Sequence, residues 1–149
     1  MKFLEENIVS LHAKAATPVE AIVQAGGLLQ KQGYVSGAYV DAMINSYRKN
    51  GPYFVLAPQI ALPHARPEDG VFEASVSMVQ LAEPVSFGNS ANDPVRLVFA
   101  LGASNSEEHL AVLKKLMNLL SDRKRVESLI AASSYKDIET LIRKGGEEG

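Results

Sequence analysis

His64 is the residue whose type and surroundings point most clearly to chemistry, and it lies in the stretch GPYFVLAPQIALPHARPEDG. Two prolines, Pro63 and Pro67, restrict the backbone around it. The apolar run before it predicts a strand that ends at this point. A neutral imidazole whose Nδ1–H is bound by a carbonyl directs its Nε2 lone pair outward, where it can attack a phosphoryl group. Taken alone, such a histidine is more often an ordinary loop residue.

A second histidine, His109, changes that interpretation. It lies in GASNSEEHL, in the first turn of a predicted helix that follows the predicted strand PVRLVFALG. Ligands of α/β proteins gather at the carboxyl ends of strands. We therefore expect the two histidines to face one another, although His109 could also be a surface residue beside Glu107 and Glu108. The third histidine, His12 in VSLHAKAA, has no comparable context.

Few kinds of active site fit these residues. A zinc site needs three or four ligands, and only Asp93 could join the two histidines, so a small metal-binding hydrolase is the weakest alternative. The chain has no cysteine, no Gly-x-Ser-x-Gly elbow and no P-loop. Nucleophilic catalysis by histidine on a phosphoryl group remains, and it requires groups that offset negative charge. The candidates are Arg48, Arg66, His109 and the helix N-terminus near Ser106.

Composition limits the setting of such a site. The length of 149 residues predicts a single domain, 1–149, with a frayed polar tail from about residue 145. The 15 Lys and Arg against 17 Asp and Glu give a net charge of −2, so nucleic acid is not an expected ligand. The absence of cysteine fits a reducing cytoplasm, and no apolar run is long enough to span a bilayer. We expect a cytoplasmic chain that is not inserted in the membrane.

The predicted elements form an α/β scaffold. Thr17 and Ser36 are the predicted N-caps of the first two helices, and the second helix ends before Gly51, with Arg48 in its last turn. Strands are predicted at 53–58, 59–63, 74–81 and 94–102, and helices follow at 105–122, at about 122–132 and at 135–144. Helices at both ends around a strand region predict a three-layer α/β/α sandwich.

These residues resemble a known family. GPYFVLAPQIALPHARPEDG with the later NDPVRLVFALGASNSEEHL is similar to the enzyme IIA components of the bacterial phosphoenolpyruvate-dependent sugar phosphotransferase system, of the mannitol/fructose type (type 2). The resemblance covers essentially the whole chain, and the form GPYFVLAP…PHARPE is closest to the ascorbate-like branch and its mannitol-like relatives. It implies a single domain with a mixed β-sheet flanked by helices, without a cofactor or metal.

The resemblance also implies a phosphoryl relay. Phosphorylated HPr would give its phosphoryl group to His64, which would pass it to the active-site cysteine of enzyme IIB, the partner of the membrane component IIC. His109 falls on the family's second histidine and would help to hold the phosphoryl group, and Arg48 matches an assisting arginine near the end of the second helix. Mannitol-type members have a glutamate where this chain has Ala57 to Gln59, which favours the ascorbate-like branch.

Two further expectations remain open at this point. The chain could instead be a regulatory, nitrogen-type member that switches partners when it is phosphorylated. Apolar residues near His64 could contact the partner proteins or belong to the core; they are Phe54, Leu62, Val71 and Phe72.

Overall fold

The computed structural model describes residues 1–148, and their side chains through Lys144. The polar tail predicted from about residue 145 lies outside the residues whose side chains are described. The strands are β1 (Lys2–Phe3), β2 (Val9–Ala13), β3 (Ile60–Ala61), β4 (Ser75–Val76), β5 (Met78–Val85), β6 (Val95–Val98) and β7 (Leu101–Gly102). The helices are α1 (Pro18–Lys31), α2 (Gly37–Asn50), α3 (Ser106–Leu120), α4 (Arg123–Ala131) and α5 (Tyr135–Glu148).

The strands form two small mixed sheets. One has the order β1-β4-β7, with a parallel and an antiparallel pair. The other has the order β2-β5-β6-β3, in which β5 and β6 are antiparallel and each outer strand pairs in parallel with its neighbour. The predicted mixed pairing of strands is therefore confirmed, and the strands are divided between two sheets.

The division occurs at one level of the fold. Each of the predicted strands 74–81 and 94–102 leaves one sheet and joins the other. The first crosses at Ser77 and the second just after Val98, and the N–H of Ser77 donates to the carbonyl of Ala100 at 3.1 Å. Both segments pass from one sheet to the other at the same level of the fold. Their apolar sequence pattern continues without a break across this point, although their pairing partners change.

The predicted strand at 53–58 is wrong. This segment forms turns after α2, and only Ile60–Ala61 of the next predicted strand joins the sheet. The prolines that flank the segment lack a donor for a ladder. The carbonyl of Val55 is instead bound by the side-chain amides of Asn89 and Asn92, at 3.1 and 2.9 Å. Phe54 and Val55 of this segment are buried in the core, whereas Tyr53 and Leu56 are exposed, so its apolar residues do not reflect strand pairing.

Helices α1 and α2 cover one face of the sheets, and both predicted N-caps are confirmed. Oγ1 of Thr17 accepts the backbone N–H of Glu20 at 3.2 Å, and Oγ of Ser36 accepts that of Tyr39 at 3.1 Å. Each bond satisfies one of the donors that a helix start leaves free. The side chains beneath these helices form one of two core clusters.

Helices α3, α4 and α5 cover the opposite face and enclose the second core cluster. Along β6 and just beyond it the buried residues alternate between the clusters: Leu97 and Phe99 face α3, whereas Val98 and Ala100 face α1 and α2. This alternation gives the predicted three-layer sandwich. None of the helices in the described part of the chain has the length and apolar character needed to cross a membrane.

Candidate functional site

His64 lies just after β3, at the edge where two strands deliver their carboxyl ends. Its Nδ1 is 2.8 Å from the carbonyl oxygen of Leu62, two residues earlier. A carbonyl can only accept a hydrogen bond, so Nδ1 carries the proton and Nε2 carries the lone pair. The ring is half-buried, and its two free sides face separate cavities. The geometry that the sequence analysis required of a nucleophilic imidazole is therefore present.

His109 faces His64, as the sequence predicted. The ring centroids are 5.5 Å apart and the planes are inclined by 48°. Burial lowers the pKa of His109, and the charge of His64 lowers it further, so the neutral imidazole is favoured in the free protein. A neutral His109 can donate one N–H to a group that is held between the rings.

The start of α3 holds His109 in place. Oδ1 of Asn105 accepts the backbone N–H of Glu108 at 2.8 Å and caps the helix. The carboxylate of Glu108 turns back and accepts the hydroxyl and the backbone N–H of Ser104, the latter at 2.7 Å. These bonds, from the Ser104 side chain first and then from its backbone, lower the pKa of Glu108. The carboxylate is thereby engaged away from the histidine pair.

Two cavities meet at His64. The first, of about 450 Å³, contains His109 and is mostly apolar; its other lining residues include Tyr39, Pro67, Ala103, Asn105, Ser106 and Leu110. The second, of about 550 Å³, lies on the other side of the ring and is polar; its lining residues include Asn45, Ser46, Lys49, Asn50, Tyr53 and Asp69. The residues that both cavities share are His64, Ala65 and Arg66.

Tyr53 forms the wall of the polar cavity against His64. The two rings meet edge to face with centroids 6.1 Å apart. The hydroxyl of Tyr53 is hydrogen-bonded to that of Ser46 at 2.9 Å, and its ring packs on the buried Phe54 at 5.4 Å. The Tyr53 ring is thus held in place by Ser46 and Phe54, and it restricts the rotation of the His64 ring toward the polar cavity.

The cations differ in their relation to His64. Arg48 is exposed in the last turn of α2 and lines neither cavity, whereas its neighbour Lys49 lines the polar one. Arg66 lines both cavities, and its Nε lies 3.6 Å from the carboxylate of Glu68 and 3.8 Å from that of Asp69. These ion pairs are exposed and weak, so they leave the guanidinium free to turn toward an anion.

Asp93 does not join the histidine pair. Its carboxylate accepts the hydroxyl of Ser86 and the backbone N–H groups of Phe87 and Gly88, at 2.8 to 3.0 Å. Burial raises the pKa of Asp93, but these hydrogen bonds outweigh it and the pKa lies below its ordinary value. In the part of the chain that the structure describes, no three His, Asp or Glu side chains converge as metal ligands would.

Six other residues that the sequence analysis named lie away from the two cavities. The side chain of Gln59 is hydrogen-bonded to Arg123 at the start of α4. Phe54 and Leu62 are each 1% exposed and belong to the core, so neither offers a surface to a partner. Phe72 is 69% exposed and Val71 is half-buried. His12 is exposed on β2 and lines neither cavity.

The cavity-lining residues that sequence reasoning missed include Tyr39, Lys49, Tyr53 and Leu110. Tyr39 and Leu110 occur at apolar helical spacing and were therefore assigned to helix faces. Lys49 could have been found from its place beside Arg48 in the last turn of α2. Tyr53 was hidden because its segment was assigned to a strand.

Comparisons with known proteins agree with this architecture. The family model described as "Phosphoenolpyruvate-dependent sugar phosphotransferase system, EIIA 2" matches residues 2–145. The mannitol-specific cryptic phosphotransferase enzyme IIA component of Escherichia coli (strain K12) is 33% identical over 143 residues, which cover 96% of this chain and 97% of the relative. The ascorbate-specific PTS system EIIA component of Salmonella choleraesuis is 34% identical over 139 residues, 93% of this chain and 90% of the relative.

One solved structure is similar to this chain in both sequence and fold. It is the enzyme IIA(Mtl) of Escherichia coli in complex with phosphorylated enzyme IIB(Mtl). It superposes with a TM-score of 0.84 at 36% identity, and the match covers 95% of this chain and 99% of that one.

Proposed function

Because this chain belongs to the EIIA 2 family of the phosphoenolpyruvate-dependent sugar phosphotransferase system, we propose that it is a cytoplasmic phosphocarrier that receives a phosphoryl group on His64 and passes it on. The donor is phosphorylated HPr, and the acceptor is the cysteine of a partner enzyme IIB. That IIB is in turn the partner of the membrane component IIC. The relative solved with a phosphorylated IIB supports that partner. The observation that carries the proposal is the bond between Nδ1 of His64 and the Leu62 carbonyl, which leaves Nε2 free beside His109.

The chemistry needs one nucleophilic atom. The Nε2 lone pair of His64 attacks phosphorus; a new N–P bond forms as the N–P bond of the donor breaks, and the donor imidazole leaves with the electron pair. In the second step the thiolate of IIB attacks the same phosphorus. An S–P bond forms, the N–P bond of His64 breaks, and the neutral imidazole returns.

Groups that line the apolar cavity offset the negative charge of the transferring phosphoryl group. His109 donates an N–H, and Asn105 and Ser106 at the start of α3 line the same cavity, where a helix leaves backbone N–H groups without an intrahelical acceptor. Arg48 is the further stabiliser that the family resemblance implies, and Arg66 is the cation that lines both cavities.

Two arginine variants separate these assignments. If Arg48 assists transfer, Arg48→Ala slows phosphorylation by at least about tenfold, as expected when a charged donor is removed from a transferring group. An unchanged rate in Arg48→Ala together with a slowed rate in Arg66→Ala would give the role to Arg66.

The transported compound is a sugar or sugar derivative of the ascorbate or mannitol class. The support comes from the relatives, whose names specify mannitol and ascorbate at 33% and 34% identity. Reconstitution with IIB and IIC components of each class, followed by assay of phosphorylated product, distinguishes the two. Product from one class alone assigns the compound.

The carrier step is tested by intact mass after incubation with phosphoenolpyruvate, enzyme I and HPr. The unaltered chain gains one acid-labile phosphoryl group, His64→Ala gains none, and His12→Ala, which alters an exposed histidine outside the cavities, gains one. A phosphoryl group retained by His64→Ala would contradict the assignment. Loss of the group on addition of a IIB separates a transport carrier from a regulatory, nitrogen-type switch, which would keep it.

A further inference from the structure

The segment that carries His64 continues the pairing of β3 with β6 beyond both strands. The N–H of Phe99 donates to the carbonyl of Ala61 at 2.9 Å, and the N–H of Leu101 donates to that of Pro63 at 3.1 Å. In a parallel ladder the next bond would run from the N–H of Ala65 to the carbonyl of Leu101. His64 lies between Pro63 and Ala65, the two residues of this segment at which these last two bonds occur.

The hydroxyl of Tyr39 occupies the place of that bond. It accepts the N–H of Ala65 at 3.1 Å and donates to the carbonyl of Leu101 at 2.5 Å. The carbonyl of Ala65, at 3.4 Å, is the more distant acceptor for the same proton. One oxygen atom is thus inserted into the ladder, and both neighbours of His64 are attached to Leu101: Pro63 directly and Ala65 through the hydroxyl.

The strand that receives this bond also leads to the second histidine. Leu101 begins β7, after which the chain passes through Ala103 to the Asn105 cap of α3 and to His109. The Tyr39 ring is 1% exposed and reaches this point from α2, in the opposite layer. It is therefore a rigid strut between the two segments that supply the histidines, and it lines the cavity they share.

We propose that Tyr39 is a positioning residue that sets the separation and relative orientation of His64 and His109 through its hydroxyl. The effect on phosphoryl transfer rests on the function proposed above, whereas the effect on the geometry of the free protein does not. Burial raises the pKa of Tyr39 to about 12, so the hydroxyl keeps its proton and its two bonds throughout the working pH range. It positions the histidines and exchanges no proton with the phosphoryl group.

The test is Tyr39→Phe, with Tyr47→Phe as the matched control. Both tyrosines belong to α2, and Tyr47 also donates to a backbone carbonyl, that of Phe87 at 2.8 Å. The control therefore loses a hydroxyl whose hydrogen bond goes to Phe87 and not to the His64 segment or to Leu101. We expect phosphorylation by phospho-HPr to slow by between about ten- and a hundred-fold in Tyr39→Phe, as for a small misplacement of reacting groups, and to be unchanged in Tyr47→Phe.

A second readout uses the unphosphorylated protein. In Tyr39→Phe, titration of the histidine ring signals by NMR should show the pKa of His109 moving back toward its ordinary value, because the burial and the His64 charge that lower it both depend on the close pairing. Tyr47→Phe should titrate as the unaltered chain does. If the pKa of His109 in Tyr39→Phe equals that in the unaltered chain, the positioning role is overturned, whether or not the chain is a phosphocarrier.

Amide hydrogen exchange tests the same contact without a substitution, and so decides the matter even if Tyr39→Phe does not fold. The N–H of Ala65 is in a loop beside a half-exposed histidine, and its bond is to the Tyr39 hydroxyl. We expect it to exchange at least about tenfold more slowly than an unstructured amide. Exchange at the rate of an unstructured amide would overturn the proposal.

Discussion

At the scale of single residues, the site depends on the difference between two histidines. His64 has its Nδ1 proton fixed by the Leu62 carbonyl and its Nε2 free, whereas His109 is held neutral by burial and by its neighbour. One ring therefore suits the proposed role of nucleophile, and the other suits that of hydrogen-bond donor. This division of roles follows from their surroundings, since the side chains are identical.

The role of His109 predicts a selective defect. His109→Ala removes one donor to the transferring phosphoryl group but leaves Nε2 of His64 in place, so phosphorylation should slow by about 100-fold while the fold is retained. Stopped-flow or quench measurements of the phosphorylated fraction give the rate, and circular dichroism gives the fold. A rate equal to that of His12→Ala would contradict the assigned role.

The lowered pKa of His109 predicts a dependence on pH. The folded chain binds this proton more weakly than the unfolded chain, whose value is 6.5, so neutral His109 contributes stability above pH 6.5 that is lost as the pH falls through the lowered pKa. Phosphorylation of His64 places a dianion beside the ring and should raise the pKa of His109. Ring-signal titrations before and after phosphorylation check this, and an unchanged pKa would mean that His109 does not face the phosphoryl group.

The sequence was informative at this scale only where a residue type is rare. Histidine at the end of two predicted strands was sufficient to predict the facing pair, because parallel strands deliver their ends to one edge. Tyr39 was not predicted, because its spacing on α2 is that of an apolar helix face and its hydroxyl bonds residues 26 and 62 positions away. A side chain that acts through long-range backbone contacts leaves no local pattern.

At the scale of elements, caps and turns decide where the histidines lie. The helices were predicted well because Thr17, Ser36 and Asn105 are capping residues with a known geometry. The strands were predicted less well. The apolar residues at 53–58 resembled a strand because burial and strand pairing both select apolar side chains. The two longer predicted strands are each divided between the two sheets, and the apolar pattern does not change at the points of division.

Gly70 is the element-scale position at which a small change should have a large effect. It ends the 3₁₀ turn Pro67–Asp69 with φ of +127°, and a Cβ there would lie 2.0 Å from Oγ of Ser36, the N-cap of α2. Gly70→Ala should lower the free energy of unfolding by about 2 kcal/mol or more, through backbone strain and loss of the cap.

Gly27 is the matched control, because it lies inside α1 with nothing within 4 Å of a Cβ. Gly27→Ala should raise the free energy of unfolding by up to about 1 kcal/mol, since alanine favours the helix. Urea unfolding of both variants gives the comparison. Equal stabilities of Gly70→Ala and the unaltered chain would show that Ser36 and the turn are not in contact.

At the scale of the whole molecule, the proposed function requires one edge of the fold to be open to two different proteins. His64 lies where the carboxyl ends of β3 and β7 meet, and the apolar cavity beside it is bordered by Leu110, which is 68% exposed. Because Leu110 lines the same cavity as His64, a partner that reaches His64 from this side would cover the Leu110 side chain.

Leu110→Asp should therefore weaken both transfer steps without unfolding the chain. We expect kcat/KM for phospho-HPr and for IIB to fall by about tenfold, because each partner would bury a charge in place of an apolar contact. Val23→Asp is the control, since Val23 is 45% exposed on α1, in the layer away from α3. Unchanged kinetics in Leu110→Asp would mean that neither partner covers this rim.

The measurement that tests the central claim most directly is identification of the phosphorylated atom. The chain would be labelled with ¹⁵N-histidine and phosphorylated by phospho-HPr, and the ring nitrogen that is bonded to phosphorus would be assigned by NMR. We predict that it is Nε2 of His64, because Nδ1 is held by the Leu62 carbonyl at 2.8 Å. A phosphoryl group on Nδ1 of His64, on His109 or on His12 would contradict the proposed mechanism.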